Sequence, residues 1–354
     1  MASRSRTPMI ALTAIDLFCG CGGMTTGLRQ AGFTVLAALD NDPLAVETYR
    51  MNHAGVYVVE NDIRKVNPMI VAREAGVRRH ALDLLAGCPP CQGFSSLRTH
   101  NGAHVVNDPR NELLFEFLRF VEALMPKAIM FENVPGLMNN PIFSEFCARL
   151  ATIGYLSSEP QVLDAAEYGV PQRRRRLFMA AGLGFTIDLC SPLRECRSVR
   201  DTIGGLPIPG MSDDPLQDAP EHHSEEVLRR IRAIPKDGGS RLDLGRDQQL
   251  PCHQQCNGFK DIYGRLRWDG VAPTITSGCT NPSKGRFLHP EQDRALTVRE
   301  AALLQSFPST YEFSMRAGKA GASRMIGNAV PPEFARRQAL QLRVALERQA
   351  SKSQ

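Results

Sequence analysis

The stretch AIDLFCGCGGMTTGL, residues 14–28, decides the fold. An apolar, branched run ends at Phe18, three glycines follow within four positions (Gly20, Gly22, Gly23), and a helical pattern opens directly after them. Such a strand, turn and helix start suits a bound cofactor. The first amides of a helix are unpaired, and a turn without Cβ atoms lets backbone approach a ligand closely. The dinucleotide fingerprint GxGxxG would need glycine at 25, where Thr25 stands, so a nicotinamide reading is weakened.

Working outward, apolar runs at 34–39, 82–86, 128–131 and 177–180 read as further buried strands. Helical patterns lie between them. Asp42 followed by Pro43 is a helix start, and Leu114, Phe117, Leu118, Val121 and Leu124 fall on one helical face. This alternation predicts an α/β fold: a Rossmann-like mixed, mostly parallel sheet with helices on both faces. After about residue 185 the chain turns rich in Gly, Pro and Asp, which predicts a smaller loop-rich module without a large core of its own. Helical periodicity returns at 297–307 and at 332–346. The expected division is a main domain from 1–185 with 310–354, a smaller domain at 186–298, and a connecting segment at 299–309.

The 354 residues are 43% hydrophobic and 22% charged, with a net charge of +5, so a polyanionic partner is permitted but not demanded. No apolar run is long enough to span a membrane and no secretory signal opens the chain, so the expected location is the cytoplasm. Ten cysteines in such a chain should be mostly reduced. The CPPC at 88–91 competes as a redox or zinc pair, but its surroundings favour another use. Cys91 follows a strand and two stiffening prolines and precedes a polar loop, a setting for a reactive rather than a packed thiol. Glu132 follows a strand inside an otherwise apolar segment, where an unpaired carboxylate would cost several kcal/mol. Asp40 ends the second strand, fit to accept from ribose hydroxyls, and Asp62 could end a third strand near an adenine amino group. For both, helix capping is the competing reading.

Five blocks in order, DLFCGCGG, GCPPCQGFS, ENV, QRRRR and GNAVPP, resemble the signature of the cytosine-5 DNA methyltransferases, over residues 15–335. The resemblance implies that Cys91 is a nucleophile adding to carbon 6 of cytosine, and that Glu132 holds and protonates the base edge. It implies that Gln172, Arg174 and Arg176 contact the base, its phosphate and the glutamate. It implies an S-adenosyl-L-methionine pocket built from Phe18, Gly20, Gly22, Gly23, Asp40, Asn41, Asp62, Ile63, Pro89, Asn328 and Val330, with no metal. Asp40 stands where the family more often has Glu, and Asn41 where some members have a stacking aromatic. The GNAVPP residues imply that the last helix folds back onto the first strands.

The implied partner is double-stranded DNA, with the target base flipped out and the polar loop at 95–107 closing over it. Ser95, Arg265, Arg267, Thr274, Lys284 and Arg286, with Thr276 and Ser277, are the candidate DNA contacts, although sequence cannot separate phosphate from base readers. The size resembles compact bacterial modification enzymes that accompany a restriction endonuclease, and a monomer is expected. Methylation of tRNA, as in one relative of the family, fits less well because its recognition region is short.

Overall fold

The computed structural model describes residues 11–90, 112–193, 196–245, 248–249, 258 and 260–352. Cys91 and Ser95 lie outside the described residues, as does the loop at 95–107. The sheet contains β1 (Leu12–Leu17), β2 (Phe33–Asp40), β3 (Tyr57–Glu60), β4 (Leu84–Gly87), β5 (Ala128–Asn133), β6 (Tyr155–Ser157), β7 (Gln161–Asp164) and β8 (Arg175–Leu183). Its order is β3-β2-β1-β4-β5-β8-β6, with β7 also paired to β8. The first five strands are mutually parallel, while β8 runs antiparallel to β5, β6 and β7. This is the mixed, mostly parallel sheet read from the sequence.

The helices among the described residues are α1 (Gly23–Gln30), α2 (Pro43–Asn52), α3 (Pro68–Glu74), α4 (Leu113–Leu124), α5 (Pro141–Thr152), α6 (Val199–Ile203), α7 (Glu225–Ala233), α8 (Val298–Leu304), α9 (Gly318–Asn328) and α10 (Pro332–Lys352). Several starts follow from their residues. Asp42 caps α2 by accepting from the Leu44 amide at 3.0 Å, with Pro43 in the first turn. Thr297 and Glu300 form a reciprocal capping box on α8. Asp62 does not end a strand as expected. β3 stops at Glu60, and Asp62 instead caps a short 3-10 turn, Ile63–Lys65.

One face of the sheet is covered by α3, α4 and α5, and Phe117, Phe143 and Phe146 of the last two pack ring against ring on Phe131 of β5. The other face takes α1 and α10, so the last helix does return to the first strands. Phe334 of α10 lies 4.6 Å from the Phe178 ring and 5.1 Å from Tyr168, centroid to centroid. A buried aromatic of this kind contributes about 3–5 kcal/mol. Gly27 makes the crossing possible, because a Cβ there would collide with the Pro332 carbonyl. A third cluster joins α6, α8 and α9 to Leu266, Ala272, Ile275 and Phe287, and a small fourth one gathers Ile231, Ile234, Leu244, Tyr263 and Leu288.

The topology places chemistry at one edge. Parallel strands β1, β2, β4 and β5 all end there, and antiparallel β8 begins there with Arg175 and Arg176. Strand order reverses between β1 and β4, which opens a crevice at that edge.

Candidate active site

A cavity of about 620 Å³ fills the crevice. Its floor is Phe18 and Gly20 after β1, with Asp40 at the end of β2 and Asn41 after it. Asp62 and Ile63 line one end, and Pro89, Asn328 and Val330 another. Glu132, Arg174 and Arg176 close the far wall, with Cys88 beside them. Twelve predicted residues therefore meet in one space. Gly22 and Gly23 stand behind it rather than on it. A Cβ at Gly23 would strike the Val330 carbonyl, and one at Gly22, which has a left-handed φ of 94°, would strike the Tyr311 hydroxyl. Their bareness lets the turn lie against the returning chain.

The Asp40 carboxylate is fixed by two amides, Gly20 N–H at 2.8 Å and Asp42 N–H at 2.9 Å. Burial raises its pKa, and those amides draw it back. Asp62 is gripped by the Arg64 guanidinium, which lowers its pKa. The orphaned polar atoms are at the other end. Arg176 Nε lies 3.1 Å from Glu132 Oε1, close but not aligned as a hydrogen bond, so Oε1 has no hydrogen-bond partner among the described residues. Arg174 donates to the Ile275 and Gly327 carbonyls at 3.1 and 3.0 Å, yet its buried Nε also has no partner among those residues. Burial raises the Glu132 pKa, against the pull of Arg176 and then Arg174. An acceptor and a donor, both buried and both without a hydrogen-bond partner among the described residues, share one wall. Such groups are costly unless a ligand completes them.

Asn133, not singled out from the sequence although it stands in the ENV block, donates to the Pro89 carbonyl at 2.9 Å and so fixes the peptide leading to Cys91. Thr25, the residue that broke the dinucleotide pattern, donates to Asp16 at 2.7 Å beneath the glycine turn. Asp16 is fully buried and its other oxygen is unpaired among the described residues. Burial is the main cause that pushes its pKa from 3.8 to about 7. The unfolded chain gives up this proton near pH 4 and the folded protein near pH 7, so folding binds the proton between those values. The contribution is therefore full at low pH and is lost as pH rises from 4 to 7, on the order of 4 kcal/mol in all. Thermal midpoints of wild type and Asp16→Asn should diverge over that window. A constant difference across it would refute the assignment.

Three sequence expectations are placed differently. Gln172 does not line the cavity. It is fully buried, with its amide nitrogen on the Leu304 carbonyl at 3.1 Å and its oxygen on the Ile275 amide at 2.9 Å. Arg265 is no DNA contact, since its completely buried guanidinium donates to the carbonyls of Ile231, Ile234, His289 and Gln292 at 2.6–3.1 Å and to Asp293 at 2.5 Å. Arg286 likewise turns inward to the Gly238, Gly239 and Arg265 carbonyls. Thr274 donates to the Arg173 carbonyl at 2.7 Å, whereas Arg267 and Lys284 are exposed. Arg265→Ala should cost about 3–5 kcal/mol of stability by leaving those buried carbonyls without their donor. Arg267→Ala should leave the melting point alone and reduce the salt slope of DNA binding by about one. Matched melting curves and salt titrations separate the two, and the reverse pattern would overturn this sorting.

A family model described as C-5 cytosine-specific DNA methylase matches residues 12–343. The chain belongs to that family. It is a DNA cytosine-5 methyltransferase. The Type II methylase M.HgiDII of Herpetosiphon aurantiacus is 37% identical over 336 residues, covering 91% of this chain and 92% of that protein. The Type II methyltransferase M.AgeI of Thalassovita gelatinovora is 31% identical, covering 95% of this chain and 100% of its own. Among solved structures, a prophage-encoded E. coli protein described as a candidate DNA modification methyltransferase aligns with a TM-score of 0.73 at 25% identity, over 96% of this chain and 100% of that one. A Spodoptera frugiperda DNMT2 variant, with a TM-score of 0.64 and 17% identity over 94% of this chain and 99% of its own, shares the fold. Among the described residues no helix of this methyltransferase is long and apolar enough to cross a membrane.

Proposed function

We propose that this methyltransferase acts on a cytosine flipped out of a specific DNA duplex, through a temporary bond between Cys91 and carbon 6 of the base. The supporting observation is a pair of buried atoms without hydrogen-bond partners among the described residues, Glu132 Oε1 and Arg174 Nε, in one cavity wall. A stacked base cannot reach a recess at the sheet edge, whereas a rotated one brings its own donors and acceptors to both atoms, at an unstacking cost of a few kcal/mol.

The other end of the cavity fits S-adenosyl-L-methionine. Asp40 offers a fixed carboxylate, Phe18 a ring, and Gly20 a bare turn, while Asn41, Asp62, Ile63, Pro89, Asn328 and Val330 complete the lining. When bound, it supplies an electrophilic methyl group for carbon 5. The protein's residues do the rest. Cys91 thiolate adds to carbon 6, and the ring electrons move toward N3. Glu132 delivers a proton there as the charge builds, while Arg174 and Arg176 steady its carboxylate. Loss of the carbon 5 proton to a base, expulsion of the thiolate and return of the N3 proton to Glu132 then restore both ring and enzyme.

In this reading residues 186–298 recognise DNA, residues 299–309 support them, and a restriction endonuclease of the same specificity is the natural companion. Bisulfite sequencing of DNA from cells expressing the protein tests the reaction and maps its site together. Protected cytosines in one sequence context are expected. Uniform conversion would end the proposal.

A further inference from the structure

Four segments distant in sequence meet at two linked buried carboxamides, Gln172 and Gln305. Gln305, fully buried just after α8, accepts from the Gln172 amide and donates to the Ile326 and Ala329 carbonyls at 2.9 and 2.7 Å. Gln172 in turn accepts from the Ile275 amide, and its neighbours pair with Ala272 on either side, Arg173 N–H to the Ala272 carbonyl at 2.8 Å and Ala272 N–H to the Pro171 carbonyl at 2.9 Å. The segment 272–277 carries candidate DNA contacts. The segment 326–330 holds Gly327, Asn328, Ala329 and Val330 of the cavity wall.

The two segments also touch directly. A Cβ at Gly327 would collide with the backbone of Thr276 and Ser277. Arg174 clamps Ile275 and Gly327 by their carbonyls. Movement of the recognition segment is therefore movement of the end of α9 that carries Asn328, provided the Gln172–Gln305 link holds. An apolar residue at 305 would preserve the packing but break the register, because it removes the donor to the Ala329 carbonyl, the side-chain donor to the Ile326 carbonyl and the acceptor that ties Gln172 to this segment.

We propose that Gln305 is a positioning residue that sets the DNA-recognition segment in register with the cofactor end of the cavity, so that each ligand tightens binding of the other. This rests on the reading of the cavity given above. Coupling of this kind is reciprocal and commonly 5–150-fold. The observable is the ratio of S-adenosylhomocysteine dissociation constants without and with a duplex carrying the bisulfite-mapped site, measured by calorimetry on the full chain.

The wild-type ratio should exceed one. In Gln305→Met it should fall roughly tenfold or to unity, while the dissociation constant without DNA moves much less. A purely structural role predicts the opposite: a lower melting point, both constants weakened alike and the ratio preserved. Should Gln305→Met fail to fold, Gln305→Glu keeps the acceptor for Gln172 and loses both donors to the returning turn, and the same collapse of the ratio is expected. A folded variant with the wild-type ratio overturns the positioning role, as does a wild-type ratio of one. Absence of any protected cytosine in the bisulfite map instead overturns the reaction on which it rests.

Discussion

Cys91→Ser protein should methylate duplex DNA on the order of 10⁴–10⁶-fold more slowly than wild type, the scale on which enzymes lose rate when a covalent nucleophile is removed. A serine hydroxyl is far too weak an acid to offer an anion to carbon 6. The informative control is the other thiol of the CPPC segment. Cys88 lines the cavity next to Glu132, so proximity alone would nominate it. Its electrostatics argue against it. Burial, with the Glu132 charge next in importance, raises its pKa well above the ordinary thiol value. A thiol held in that way is a poor source of thiolate. With a duplex containing 5-fluorocytosine at the mapped site, the fluorine blocks the final elimination and the adduct persists. Cys88→Ala should still be trapped and Cys91→Ser should not. An adduct mapped to Cys88, or wild-type turnover by Cys91→Ser, would remove the covalent route assigned to Cys91.

The cofactor end of this cavity was open to sequence reasoning because backbone geometry there is written in residue types. Gly20 and Gly22 take left-handed φ, Gly23 lies where a Cβ would strike the Val330 carbonyl, and Asp42 with Pro43 is a strong helix start. Edge strands were not legible. The half-exposed run Tyr57–Glu60 has no apolar stripe, and β6 and β7 are too short to show one. Helix α9 was hidden by its own glycines. Gly321 and Gly327 argue against a helix by propensity, but each is needed where another chain segment presses in, Leu44 at one and Thr276 at the other. Arginines posed a different difficulty. Arg265 and Arg267 are two residues apart with the same side chain, yet one faces four carbonyls inside the protein and the other faces solvent. Nothing local distinguishes them, since the direction of each is set by tertiary packing. Gln172 failed in the same way, its partners lying more than a hundred residues downstream.

Glu132→Gln should lower kcat by about 10²–10⁴-fold, the usual range for removing a positioned acid or base, with much smaller changes in binding of DNA or cofactor. Glutamine fills the same volume at the end of β5, so the Phe131 cluster beneath it has no reason to shift. What it lacks is a proton to give. The environment of Glu132 is arranged around that proton: burial favours the neutral acid, while Arg176 and Arg174 prevent it from becoming inert. The balance keeps the proton to a higher pH than a free glutamic acid would, and still lets it move to N3 when charge develops there. The wild-type rate should accordingly decline on the alkaline side as that proton is lost, and this limb should vanish in the variant. Glutamine also presents an amide N–H toward the arginines, replacing an attraction with a repulsion, so Glu132→Asp is the milder comparison that keeps the acid and shortens its reach. If Glu132→Gln instead keeps its kcat and loses only affinity, the carboxyl group serves to hold the base and the proton reaches N3 from elsewhere.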